Sequence, residues 1–168
     1  AAQLSFVTVL AAADAVEAAL AGARPDVRCK WPNDVLIDGR KCAGILLESS
    51  TAADGRLEWV VAGCGINVAS HPEGADYPVT SIKAAGGADD VAGLLRAYAT
   101  RFLHWLTLWR NAGFEPLRAA WLARAGAAGH AMRVRLGRST IEGSFETIDA
   151  GGALVLGLGN GRRQVIAA

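Results

Sequence analysis

An α+β fold is predicted by the order of the hydrophobic patterns. A helix-period stretch opens the chain, a meander of short β-prone runs follows, two helices come next, and the texture then changes to short strands separated by Gly-rich turns. At 168 residues and 52% hydrophobic, with 20 Gly, the chain can bury a real core and suits one larger domain with a small appendage. We expect the first domain over residues 1–127 and a small β-barrel over residues 130–168.

Each element has a local cause. Leu4, Val7, Ala11, Ala15 and Ala18 recur at spacings of three and four, which predicts an amphipathic helix running to about Leu20 and ending near Gly22. Residues 27–31, 35–37, 41–49 and 57–62 read as strands, with 51–55 as a turn. In Gly63-Cys64-Gly65-Ile66-Asn67-Val68 the glycines suggest a close approach by backbone or ligand. Residues 71–87 form a polar loop long enough to suggest a binding role. Asp89-Asp90 are expected to cap an amphipathic helix over 91–111, and 114–125 reads as a second, shorter helix. Trp105, Trp109 and Trp121 are spaced as helix-packing residues, and His104 as a packed imidazole. Short strands are then expected at 133–136, 140–147, 153–156 and 163–166.

Bulk charge narrows the function. A formal net charge of +1, with no Lys/Arg run, gives no reason to expect nucleic acid. The substrate is therefore expected to be small. Cys29, Cys42 and Cys64 show no paired or zinc-site spacing, so they read as buried thiols of a reducing, cytoplasmic compartment, with no metal bound by protein ligands. The start, residues 1–20, contains Gln3, Asp14 and Glu17 and no basic leader, so it reads as neither a signal peptide nor a membrane span.

The chemistry concentrates in Lys30-Trp31-Pro32-Asn33-Asp34, followed by Asp38-Gly39-Arg40-Lys41 and Gly44-Ile45-Leu46-Leu47-Glu48. Asp38-Gly39 between two β-prone runs is a strong hairpin signal, because Gly tolerates the positive φ of a type I′ turn. With that two-residue loop, Ile37 pairs with Arg40 and Leu36 with Lys41. Asp34 and Lys41 then share a face as diagonal neighbours about 7–8 Å apart, flanking a substrate-sized gap. The bland reading is a solvated hairpin charge beside an ordinary turn, with Glu48 structural. Gly63 and Gly65 lack the third glycine of a dinucleotide fingerprint, which argues against such a site.

These three segments, Lys30 to Asp34, Lys41 to Glu48 and Gly63 to Val68, in this order and spacing, resemble the biotin protein ligase family, and with the terminal β-module the similarity spans essentially the whole chain. The resemblance implies the α+β domain shared with lipoate ligases, a mixed sheet flanked by helices, followed by a small SH3-like barrel. It implies that biotin attacks the α-phosphate of ATP, supplied with Mg2+, to give biotinyl-5′-adenylate, and that a lysine of a biotin carboxyl-carrier domain then takes the acyl group.

By the same resemblance Lys41 and Asp34 are the catalytic pair. Lys41 reaches the biotin carboxylate and α-phosphate, and Asp34 serves acyl transfer. Lys41, Gly44 and Gly63 would line the biotin site, and Lys30, Asn67 and Ser81 the nucleotide side. The similarity starts after the family's Arg/Gly-rich adenylate loop and stops before its last strand. The expectation is thus the C-terminal portion of a ligase with a half-encoded site, which alone has no measurable turnover and binds its ligands weakly or not at all. No upstream DNA-binding domain is seen, and dimerisation stays open. Two other readings remain: a lipoate-type ligase, and an inactive relative acting as a binding or dimerisation module.

Overall fold

The computed structural model describes residues 2–23, 25–136, 139–159 and 161–167. Helix α1 (Gln3–Ala19) is followed by strands β1 (Val27–Lys30), β2 (Asp34–Ile37), β3 (Arg40–Thr51) and β4 (Leu57–Ile66). Helices α2 (Val91–Ala112) and α3 (Glu115–Arg124) come next, and strands β5 (Ala131–Leu136), β6 (Ser139–Ile148), β7 (Leu154–Gly157) and β8 (Arg163–Ile166) close the chain. Two four-stranded sheets result, ordered β1-β2-β3-β4 and β5-β6-β7-β8. All strand pairs described within them are antiparallel. A parallel component enters through the isolated bridge between Lys41 and Val79. The second sheet is an antiparallel meander of four short strands, the all-β character expected of the closing module.

Helix α1 departs from the amphipathic expectation. Phe6, Val7, Val9, Leu10, Ala12, Ala13, Ala15 and Val16 are all buried, whereas Ala18 of the expected apolar stripe is exposed. A helix apolar nearly all round is an interior helix. It lies between the first sheet and helices α2 and α3, and its alanines leave room for close approach on both sides.

The expected tryptophan packing is present and carries polar ties. Trp105 Nε1 donates to Asp14 at 2.8 Å and Trp109 Nε1 to Gln3 Oε1 at 2.9 Å, fixing α2 along α1. Asp14 also accepts from Arg124 of α3 at 2.7 Å. On α2, however, Leu94 is the one residue fully buried, and Leu95 and Leu103 stay largely exposed. Only part of its apolar surface is therefore used against α1. Of the two expected caps, Asp90 accepts from Gly93 N–H at 2.9 Å, whereas Asp89 instead pairs with Lys83 at 2.7 Å.

The closing module is seated by a shared apolar core, in which Trp121 of α3 meets Phe145 of β6 with ring centroids 6.1 Å apart, and by specific hydrogen bonds. Trp31 Nε1 donates to the Gly152 carbonyl at 3.1 Å, and Arg118 Nε to that of Ile148 at 2.9 Å. Gly152, at φ +92°, lies under the Phe6 ring, where an added Cβ would sit 2.7 Å from Phe6 Cε2. Among the described residues no helix is long and apolar enough to cross a membrane.

Candidate functional site

The β2-β3 hairpin builds the site. Asp38 (φ 49°) and Gly39 (φ 75°) adopt the left-handed conformations of the expected turn, and Ile37 pairs with Arg40 and Leu36 with Lys41. Beyond that point the register slips. Val35 faces Ala43 and Asp34 faces Gly44, so buried Cys42 is the extra residue of a β-bulge. One added residue inverts the alternation of side chains, which brings Lys41 and Gly44 onto one face despite their odd spacing.

The expected gap between Asp34 and Lys41 is consequently closed. Lys41 Nζ lies 2.6 Å from Asp34 Oδ1, with the two side chains 29% and 19% exposed. Gly44 makes room for this pair, since a Cβ there would lie 3.1 Å from Lys41 Cε and Nζ and 3.5 Å from Asp34 Oδ1. Lys30 stands directly opposite Asp34 in the β1-β2 register, so one carboxylate is flanked by two lysines. Tyr77 covers the ammonium, its ring centroid 5.4 Å from Lys41 Nζ.

A groove of about 650 Å³ opens beside this cluster, between the hairpin, the Asp76–Pro78 stretch and β5. Its charged lining comprises Lys30, Lys41, Arg133 and Arg135 against Asp34 and Asp76, an excess of positive charge that suits an anionic guest. Arg133 and Arg135, brought in by the second sheet, carry no signal in the sequence, since nothing local links β5 to the hairpin. Among the described residues no group of three His, Cys, Asp or Glu is placed to hold a metal ion.

The other expected site residues take different positions. Gly63 faces Leu46 across the β3-β4 ladder and Gly65 faces Gly44, because β4 continues through the glycines rather than ending at Ala62. Gly44, Gly63 and Gly65 thus form a strip without side chains on the exposed face, bordered by Leu46 and Val61, each more than half exposed. This flat apolar strip was detectable from period-two alternation along β4. A small molecule could lie on it with an anionic end toward Lys41.

Asn67 and Ser81 lie in the segment that braces β3. Asn67 N–H donates to the Cys42 carbonyl at 2.8 Å, and its Nδ2 to the Thr80 carbonyl at 2.9 Å. Lys41 N–H donates to Pro78 O and Thr80 N–H to Lys41 O, at 2.9 and 3.0 Å, which holds residues 78–80 alongside the catalytic candidate. Ser81 is buried, its Oγ accepting from Ala84 N–H at 3.2 Å. Burial pushes the Cys29 thiol up to about 12 and those of Cys42 and Cys64 up to about 11, so these sulfurs are poor nucleophiles.

Comparison with known proteins identifies the family. Over its full length the chain is 44% identical to a biotin–[acetyl-CoA-carboxylase] ligase of Paracoccus denitrificans, of which it spans 71%. It is 34% identical to the bifunctional ligase/repressor BirA of Bacillus subtilis over 99% of the chain, but only 51% of that protein. The apo biotin protein ligase of Aquifex aeolicus superposes with a TM-score of 0.81 at 24% identity, covering 99% of this chain and 72% of the other, which establishes the fold. Residues 129–168 match the biotin protein ligase C-terminal domain. Residues 1–123 match the biotin/lipoate A/B protein ligase family, to which the chain therefore belongs.

Proposed function

We propose that this chain carries the lysine–aspartate half of a biotin–protein ligase site, which activates biotin with ATP to biotinyl-5′-adenylate and passes the acyl group to a lysine of a biotin carboxyl-carrier domain. The observation that carries the reading is the Lys41–Asp34 pair, with Lys30 opposite, at the mouth of a groove rich in positive charge. Both half-reactions gather negative charge on phosphate oxygens, and preorganised cations stabilise it where it develops.

In the first step biotin's carboxylate oxygen attacks the α-phosphorus of ATP, supplied as its magnesium complex, and pyrophosphate leaves. Lys41 contacts the carboxylate and α-phosphate as a point charge, and Lys30 assists on the phosphate side. In the second step the carrier amine attacks the acyl carbon, AMP leaves, and Asp34 orients the amine and takes its proton. Gly44 and Gly63 give biotin a flat bed. Asn67 and Ser81 serve the nucleotide side by shaping the 78–82 segment, since their side chains are engaged within it. The match of residues 129–168 to the biotin-specific C-terminal domain favours biotin over lipoate.

The test is mass spectrometry of a purified carrier domain incubated with the full-length protein, biotin, ATP and Mg2+. A biotin adduct on one lysine, undiminished by excess lipoate, is expected. No adduct, or a lipoyl adduct in its place, refutes the reading. Gel filtration of the same sample shows whether the protein works as a monomer or a homodimer.

A further inference from the structure

We propose that Asp34 is a resident stand-in for the substrate anion, displaced from Lys41 when the substrate arrives, and that Gly44 is the positioning residue that keeps the path between Asp34 and Lys41 open; this rests on the ligase reading above. The unliganded arrangement supplies the motive. Lys41 Nζ spends one of its three N–H donors on Asp34 at 2.6 Å, in a pair partly open to solvent, so an incoming carboxylate competes with Asp34 for the same charge. Asp34, by contrast, keeps Lys30 opposite it when Lys41 departs. A Cβ on Gly44 would lie 3.1 Å from Lys41 Cε and Nζ, so the missing side chain leaves the room in which the ammonium sits and moves.

The exchange orders the two half-reactions. While Lys41 sits on Asp34, neither group acts. Once the carboxylate and α-phosphate draw the ammonium away, the Asp34 oxygens become free to accept a hydrogen. The carrier amine nitrogen then bonds to the acyl carbon, the bond from that carbon to the phosphate oxygen breaks, and AMP departs with the electron pair. The proton lost from nitrogen goes to Asp34. Formation of the adenylate thereby prepares the base that consumes it.

Calorimetry on the full-length protein tests this, with biotin and with biotinol, in which a primary alcohol replaces the carboxylate. Because Asp34 competes only with an anion, Asp34→Asn is expected to raise the preference for biotin over biotinol roughly three- to fivefold, the scale of a partly exposed ion pair. Asp34→Glu, which keeps a carboxylate within reach, restores the wild-type preference. Gly44→Ala, whose methyl crowds Lys41 away from Asp34, moves the preference in the same direction as Asp34→Asn, and any clash with the ring system cancels between the two ligands. Unchanged or lowered preference in both Asp34→Asn and Gly44→Ala overturns the exchange. If the wild type still forms adenylate in that case, the ligase reading stands without it, whereas failure of the wild type to bind either ligand removes both.

Discussion

Lys41 is a flexible side chain held by the strand that carries it, the Asp34 carboxylate and the half-exposed Tyr77 ring. In the complete enzyme Lys41→Ala is expected to lower adenylate formation by roughly 10²–10³, the typical effect of losing one donor to a developing oxyanion. Pyrophosphate release checks this, and an unchanged rate would remove Lys41 from the chemistry. The thiols make a separate prediction at this scale. Burial raises Cys29 to about 12 and Cys42 and Cys64 to about 11, from an ordinary value of 9.0. The folded state therefore holds protons that the unfolded chain releases. Stability is fully present below about pH 9 and falls as pH rises toward 11, by up to about 1.4 kcal/mol per pH unit for each thiol. Urea midpoints measured between pH 8 and pH 10.5 should decline, and thiol reagents at pH 8 should label buried Cys29 and Cys42 only after unfolding.

Hairpin chemistry was legible in the sequence at the level of elements, because a turn is decided by the residues inside it. Asp38-Gly39 dictated the left-handed pair, and with it the Leu36–Lys41 register. The bulge at Cys42 was not legible. Nothing in the local sequence marks it, and it is settled by the burial of Cys42 and Ala43 under the sheet. That one slip turned an expected gap between Asp34 and Lys41 into an ion pair. The burial of α1 was hidden for a similar reason, since an alanine stripe looks weakly amphipathic until packing on both sides is known. Two predictions belong here. Gly39→Ala, at φ 75°, should cost about 1 kcal/mol in urea unfolding, because it strains the turn without touching the core. Asp14→Ala should cost about 1–3 kcal/mol, since it strands the Trp105 N–H and leaves Arg124 with Glu17 as its remaining carboxylate, at a position 12% exposed.

The whole molecule makes its groove from two sheets that share no strand, so the groove depends on how the closing module is seated. The seating bonds join residues far apart in sequence: Trp31 to Gly152, and Arg118 to Ile148 and Thr147. Such contacts leave no periodic trace in a sequence, which is why Arg133 and Arg135 were not foreseen at the rim although the motif residues were. Trp31 has two functions in this arrangement. It ends β1 beside the lysine cluster, and its indole N–H satisfies a carbonyl of the module. Trp31→Phe keeps an aromatic ring but leaves the Gly152 carbonyl without this donor, an expected loss of about 1–3 kcal/mol. Gly152→Ala should cost at least as much, because the new methyl meets both a positive φ and the Phe6 ring at 2.7 Å. Both variants should also expose the connection between α3 and β5 to limited proteolysis and increase hydrogen exchange in β5, while β2 and β3 keep their protection. If Trp31→Phe shows wild-type cleavage and exchange, the bond to Gly152 is not what seats the module, and the groove is held by the Arg118 bonds together with the Trp121–Phe145 contact.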